Sequence, residues 1–115
     1  VTAHWRVIAE NGKDIGLMAV TAAEAIRECD CWLFSCWIDP SFRGHGIMKM
    51  MIDELDVICE DQGWVIQGLG VWPHNIRAIK SYEKYGFEKS GEPKPSRSRP
   101  DQLFQPMFRR RPNSD

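Results

Sequence analysis

At 115 residues with a formal net charge of -1, the chain has the length of one small domain and no global pull toward nucleic acid or an anionic membrane. Its hydrophobic share of 43% is ordinary for a water-soluble globular protein, and no apolar run is long enough to span a bilayer as a helix. No secretory pattern opens it, and the expected location is the cytoplasm.

Trp5 to Val20 reads as a hairpin. Trp5, Val7 and Ala9 alternate with polar Arg6 and Glu10, Ile8 breaks the alternation, and Asn11-Gly12 is a favoured tight-turn pair. Ile15 to Val20 is the return strand. Thr21-Ala-Ala-Glu24 has the form of a capping box, so a short helix or turn is expected before Asp30. Cys31 to Ile38 is nearly all apolar with aromatic residues, which suits a strand buried on both faces; Asp39-Pro40 stops it. Cys29, Cys31, Cys36 and Cys59 lie in or beside core segments and are read as reduced core thiols. Cys29-Asp30-Cys31 is not the C-x-x-C of zinc ribbons or redox sites, the histidines are scattered, and no metal is expected.

A helix is expected from about Gly44 to about Gln62, with Ile47, Met50, Met51, Leu55, Ile58 and Cys59 recurring at core spacing. Asp53, Glu54, Asp56, Glu60 and Asp61 fall mostly on the opposite, solvated side, and Gly63 caps the end. Trp64 to Trp72 is a third strong strand, in which Gly68 and Gly70 suggest a bend or a close backbone approach. After Pro73, a helix capped by His74 or Asn75 runs to about Tyr85 and stops at Gly86. Phe87 to Gly91 reads as a short strand, Glu92 to Asp101 as a solvated loop, and Gln102 to Phe108 as the last strand. Residues 109–115 are expected to form a frayed tail.

The turn Arg43-Gly44-His45-Gly46-Ile47-Met48 joins a strand to a helix. The first N–H groups of a helix lack carbonyl partners, the peptide dipoles make that end partly positive, and a glycine lets the backbone close on a ligand. With Arg43 beside it, the turn reads as a pyrophosphate cradle. Glycine in such a turn also serves geometry alone, and Gly-x-Gly is a weak signal by itself. There is no Gly-Lys-Ser/Thr of a nucleoside-triphosphate loop and no third glycine at the dinucleotide-binding spacing.

A second constellation follows in Asn75-Ile-Arg-Ala78-Ile-Lys-Ser-Tyr82-Glu-Lys-Tyr85-Gly86-Phe87. Asn75 and Tyr82 are about two helical turns apart, so they project from one face. Asn75 offers an amide to a ligand, and Tyr82 a phenolic O–H able to donate a proton in a dry pocket. The plainer alternative is a capping Asn and a core Tyr.

Together these stretches resemble the GNAT superfamily of acetyl-CoA-dependent N-acyltransferases. Ile38-Asp39-Pro40 followed by Arg43-Gly44-His45-Gly46-Ile47-Met48 is similar to its phosphate-binding motif, with Met48 departing from the usual small residue and narrowing the site. Asn75 to Phe87 matches its Asn-x-x-Ala-x-x-x-Tyr-x-x-x-Gly-Phe pattern throughout. The resemblance implies an α/β (α+β) fold with a mixed, mostly antiparallel sheet flanked by helices, shortened at the N-terminus, with a core of about residues 5–108. It implies that the backbone around Cys36, Trp37 and Ile38 pairs with the pantetheine arm of acetyl-CoA. The Arg43 to Met48 turn holds the pyrophosphate, and Asn75 and Arg77 add cofactor contacts. Tyr82 protonates the leaving thiolate while a backbone N–H steadies the oxyanion. Transfer is direct, so no cysteine acts as nucleophile.

No catalytic base stands out: the family's glutamate position falls near Trp32, while Asp30 and His74 are nearby titratable groups. Relative to the family, the first strand and its helices are missing, which fits a short protein, a fragment of a gene, or a dimer whose partner supplies the wall; the sheet edge left to cover makes a homodimer an expectation. The chain reads as an N-acetyltransferase on a small-molecule or protein amine. The alternative is a CoA-binding domain without catalysis. A nucleic-acid module using Arg97, Arg99 and Arg109 to Arg111 is the weakest reading.

Overall fold

The computed structural model describes residues 3–23 and 28–112. β1 (His4–Glu10) and β2 (Lys13–Ala22) form the hairpin, turning at Asn11 and Gly12 with φ of 52° and 79°. Two successive left-handed residues make a turn whose twist matches that of the flanking strands. Then come β3 (Cys31–Ile38), α1 (Ile47–Gln62), β4 (Ile66–Val71), α2 (Ile76–Lys84), β5 (Glu88–Lys89), β6 (Lys94–Pro95) and β7 (Leu103–Arg110). The sheet order is β1-β2-β3-β4-β7-β5, with β6 on the other part of β7. Only β3 and β4 run parallel, joined through α1; the other pairings are antiparallel. This is the mixed α+β architecture that the resemblance implied.

Both helices contribute to one core. α1 buries Ile47, Met51, Ile52, Leu55, Ile58 and Cys59, and α2 buries Ile79 and Tyr82, in one cluster with Met18, Val20, Cys31, Leu33, Leu69 and Met107 from the sheet. Met50, expected in this stripe, is 54% exposed. At 100° per residue it falls one step beside Met51, outside the apolar arc. Gly63 ends α1 in the left-handed conformation with its N–H on the carbonyls of Cys59 and Glu60.

The opposite face of the sheet carries no helix among the described residues. There Trp5 stacks edge-on against Phe34 at 5.6 Å and Trp32 against Phe104 at 6.0 Å. β3 is therefore not buried on both faces: Cys31 and Leu33 are buried, but Trp32 and Phe34 are only half-buried. In β1 the expected apolar face is also reversed. Trp5 and Val7 are exposed, while Ile8, which breaks the alternation, packs on the core. An irregularity between Ile8 and Ala9 shifts the register at that point.

Two further expectations change. Thr21 and Ala22 end β2 rather than opening a helix, and residues 24–27 lie outside the described residues. Arg109 and Arg110 belong to β7, not to a tail. Arg109 is buried and donates from Nη1 to Asp56 Oδ1 at 2.6 Å and to Gln67 Oε1 at 2.7 Å, and from Nε to the Tyr85 carbonyl at 2.8 Å. Asp56, expected on a solvated face, is thus the anchor of an ion pair that ties α1 to β7. The solvated loop from Glu92 to Asp101 also contains β6, a two-residue strand paired to Leu103 and Phe104.

Candidate functional site

The site is organised by two departures from regular sheet pairing. The first is at β3. Ala19 of β2 pairs with Phe34, yet Leu17 pairs with Trp37, so Ser35 and Cys36 together oppose Met18. This is a β-bulge, and Ser35 carries its strain with φ of 54°. One inserted residue exchanges the faces of everything after it. Phe34 and Ser35 thus both line the helix-free side, while Cys36 and Ile38 turn to the core. No sequence signal announces a serine in this conformation.

The second departure is between β3 and β4. Their parallel pairing covers Cys31–Gln67, Trp32–Gly68 and Leu33–Leu69, then ends. Both strands continue, β3 to Ile38 and β4 to Val71, but as separate edges. The result is a slot through the sheet with β3 backbone on one side.

At one end of the slot lies the turn into α1. Asp39 caps a single 3-10 turn at Pro40–Phe42, accepting from the Ser41 N–H at 2.9 Å and hydroxyl at 2.7 Å. Those bonds, with Lys13 at 3.2 Å, hold the Asp39 carboxyl down at about 2. The loop leading into the turn is thereby anchored. Gly44 and Gly46 have φ of 84° and 78°, a conformation in which other residues are strained. Gly46 is the N-cap of α1 and supplies no side-chain cap, and the first turn holds no acidic residue. The N–H groups of Gly46, Ile47, Met48 and Lys49 have no acceptor among the described residues. A Cβ built on Gly44 or Gly46 meets nothing within 4 Å. Helices usually place a capping oxygen or a carboxylate here. This one presents bare donors and open space, which fits a phosphate. Arg43 and His45 are exposed beside it, with His45 edge-on to Phe42 at 5.6 Å; Met48 packs against the core.

At the other end is α2. Asn75 caps it, its side-chain oxygen accepting from the Ala78 N–H at 3.2 Å. The amide is therefore only partly available: its oxygen serves the helix, and its NH2 remains to donate. Tyr82 is 9% exposed, packs edge-on against Phe87 at 5.8 Å, and hydrogen-bonds with the Cys36 thiol. Burial first, and then the neighbouring Cys36, push the Tyr82 hydroxyl above its ordinary value. Burial likewise raises Cys36, offset by the Tyr82 hydrogen bond. Both groups stay protonated in neutral solution. Of the other expected cofactor contacts, Arg77 is exposed, as is Trp37 at 45%.

On the far side of the slot, a cavity of about 640 Å³ opens on the helix-free face. Its walls include Trp32, Phe34, Ser35, Trp72 and Phe104, with Lys94 and Arg97 from the β6 region and Glu28 before β3. Two glycines make it concave. A Cβ at Gly70 would stand 2.6 Å from the Phe104 ring, and one at Gly68 2.8 Å from Cys29 Sγ and 2.9 Å from the Trp32 ring. The close approach expected at these glycines is thus made by the side chains of Cys29, Trp32 and Phe104. Neither group considered as base reaches this space. Asp30 is committed to the Val65 and Ile66 N–H groups at 2.7 and 2.8 Å, and His74 is exposed outside the cavity walls. Glu28 was overlooked in the sequence, where nothing marks it. Among the described residues no three His, Cys, Asp or Glu side chains are grouped as a metal would need, and no helix is long and apolar enough to cross a membrane.

The comparisons agree with this geometry. An uncharacterized N-acetyltransferase of Bacillus subtilis is 24% identical over 72% of this chain and 53% of its own length. The ribosomal protein bS18-alanine N-acetyltransferase of Salmonella typhimurium is 32% identical over 64% of this chain and 49% of its own. The chain thus spans about half the length of these curated relatives. An aminoglycoside 6'-N-acetyltransferase crystallised with coenzyme A superposes with a TM-score of 0.77 at 15% identity, covering 98% of this chain and 76% of that one, which shows a common fold. The description of the acetyltransferase (GNAT) family matches residues 2–87, and the chain belongs to that family.

Proposed function

We propose that the protein is an N-acetyltransferase that moves an acetyl group from acetyl-CoA directly to an amine. The observation that carries this reading is the slot between β3 and β4, with bare helix N–H donors at one end and a buried, protonated Tyr82 at the other. Acetyl-CoA supplies the activated acetyl thioester. The N–H groups of Gly46 to Lys49, with Gly44, His45 and the Arg43 charge, bind its pyrophosphate. The unpaired edge of β3 at Cys36 to Ile38 pairs with the amide groups of its pantetheine arm, and the Asn75 NH2 donates to the same arm. Arg77, exposed near the start of α2, adds a further cofactor contact.

The residues then act in order. The amine attacks from the cavity side, forming the C–N bond as the C–S bond breaks. A backbone N–H of β3 steadies the charge on the carbonyl oxygen. Tyr82 gives its proton to the departing sulfur, and the proton that the nitrogen sheds as the amide forms returns through cavity solvent to restore the Tyr82 hydroxyl. The ammonium proton leaves to solvent in the cavity beforehand, since Asp30 and His74 are placed elsewhere. No cysteine is acylated: the Cys36 thiol is held protonated by its surroundings.

A homodimer belongs to the same proposal. β1 is an edge strand among the described residues and exposes Trp5 at 52% and Val7 at 55%, a surface that favours being covered. Sedimentation at micromolar concentration tests it, and a monomer there ends it. Cys29, Cys31, Cys36 and Cys59 form no disulfide with one another, which supports a reducing, cytoplasmic location.

Titration calorimetry with acetyl-CoA, together with thiol release on a panel of amines, tests the function. Heat on mixing and amine-dependent thiol release are expected. Binding without turnover on any amine would indicate the non-catalytic alternative. No binding to folded protein would remove the whole reading. The nucleic-acid alternative loses support from the geometry, because Arg109 is buried on Asp56 and Arg111 Nε donates to the Trp64 carbonyl at 3.0 Å.

A further inference from the structure

Resting on the acetyl transfer proposed above, the cavity on the helix-free face narrows the class of amine. We propose that it takes an α-amino acid with an aromatic or large apolar side chain, and that the α-amino group is the one acetylated. Its volume of about 640 Å³ falls in the range of small-molecule sites, roughly 300–1,000 Å³.

The order of groups along the cavity decides the class. Ser35 and Trp72 stand at the slot, where the amine must reach the thioester. Lys94 pairs across β6 and β7 with Phe104, and Gln105, one residue on, pairs with Val71 at the end of β4. Along the strands Lys94 is therefore level with the slot end of β4, across β7 from it, and its long side chain lines the same cavity, with Arg97 three residues further along the same segment. Trp32 and Phe104 form the apolar floor behind it. Glu28, three residues before β3 begins, lies at the opposite end, on the order of 10 Å or more from Ser35 by strand rise.

An anion next to the attacking nitrogen, and an apolar body behind it, match this sequence of groups. An α-amino acid carries its carboxylate one carbon from the amine. That carboxylate pairs with Lys94 while the side chain lies on Trp32 and Phe104. Pairing the carboxylate also weakens its hold on the neighbouring ammonium proton, so the amine is freed more readily without a dedicated base. A polyamine would set a second cation against Lys94. A peptide N-terminus offers only a neutral carbonyl at that place.

The experiment uses the full 115-residue chain with acetyl-CoA, reading thiol release with L-tryptophan, tryptamine, spermidine and an alanine-initiated tripeptide. Tryptophan is expected to exceed tryptamine by about 10-fold in kcat/KM, the effect of one charge-assisted hydrogen bond. In Lys94→Glu that ratio should fall to about one, with acetyl-CoA affinity measured in parallel by calorimetry. Equal or greater turnover of tryptamine, spermidine or the tripeptide overturns the proposed class while leaving acetyl transfer standing. Acetyl-CoA binding with no turnover of any of the four also overturns it. A wild-type preference that persists in Lys94→Glu does the same. Failure to bind acetyl-CoA at all instead overturns the function on which the inference rests. Should Lys94→Glu not fold, the wild-type ratio decides alone.

Discussion

Tyr82→Phe isolates the chemical step. The substitution keeps the ring, and with it the edge contact to Phe87 at 5.8 Å and the burial on α2. It removes one hydroxyl whose partner within the chain is the Cys36 thiol. A neutral hydrogen bond contributes about 0.5–1.5 kcal/mol, and one to sulfur falls at the low end. Tm should therefore drop by less than about 8 °C. Loss of a general acid costs far more in the transition state, roughly 10²–10⁴-fold in kcat, or about 3–5 kcal/mol. The expected result is a kcat lower by at least about 100-fold, with the acetyl-CoA dissociation constant changed by less than about threefold. Thiol release gives the first quantity and calorimetry the second. A loss of affinity matching the loss of rate, or a rate within about threefold of wild type, would show that Tyr82 is packing and not an acid.

The same residue has a pH signature. Its folded-state value is raised above the ordinary 10.0, so its contribution to stability is complete below pH 10 and is lost as pH rises beyond it. There the unfolded chain ionises while the buried hydroxyl does not. Thermal melts of wild type should fall off above pH 10 more steeply than those of Tyr82→Phe. The buried Cys31 and Cys59 thiols share one hydrogen bond that raises Cys31 and lowers Cys59, and as this pair is the same in both proteins it cancels in the comparison. Superimposable alkaline profiles would mean that the hydroxyl is hydrated.

Gly46→Glu sets bulk and negative charge before the bare N–H groups of α1 and forces a side chain to φ of 78°. The strain costs about 1–2 kcal/mol and leaves the fold intact, whereas acetyl-CoA binding should vanish in calorimetry. Normal binding would mean that the phosphates lie elsewhere. Gly70→Ala drives a Cβ to 2.6 Å from the Phe104 ring, which must swing into the cavity. A stability loss of about 1–3 kcal/mol is expected, with KM for the amine raised and acetyl-CoA affinity unchanged; an unchanged KM would place the amine outside this cavity. Arg109→Met leaves Asp56 and buried Gln67 without their cation. Because the Asp56 side chain is 26% exposed and can rehydrate, the cost should be near the low end for a broken buried pair, about 3 kcal/mol, seen as a fall in Tm of more than about 10 °C. A smaller shift would mean that solvent already screens the pair.

What the sequence disclosed was local. Asn11-Gly12, the glycine ending α1 and Asn75 ahead of α2 are each set by backbone chemistry within a few residues. β3 from Cys31 to Ile38 and the helix after Gly46 follow from apolar spacing in the same way. What it hid depends on partners far along the chain. Arg109 looked like tail until Asp56, 53 residues earlier, held it in the core. Met50 and Asp56 were misplaced because periodicity gives the apolar arc of a helix but not its edges. In β1 the strand alternates regularly from Trp5 to Ile8, but the face that meets the helices is that of Ile8 and not that of Trp5 and Val7, a choice made by elements far along the chain. The cavity was least legible of all. Its walls come from residues before β3, β3 itself, β4 and the β6–β7 region, and no segment alone has a reason to be read as a site.

In the proposed reaction, the bulge at Ser35 is what lets one sheet serve two substrates. Without it, alternation from Cys31 and Leu33 would put Ser35 and Trp37 toward the helices and Cys36 toward the open face. A tryptophan would then fill the space beside Tyr82. The inserted residue reverses that assignment and brings the small Cys36 against the Tyr82 hydroxyl. It also leaves Phe34 and Ser35 together on the cavity wall. The same kink coincides with the point where β3 leaves β4, since pairing stops two residues earlier at Leu33. In the proposed reaction, the strained residue lies where the strands separate, with the proton donor on one side of the slot and the amine on the other. A substitution that lets β3 resume regular alternation, such as deletion of Ser35, should close the slot and abolish turnover while leaving most of the sheet paired; full activity after that deletion would show that the separation of the strands has another cause.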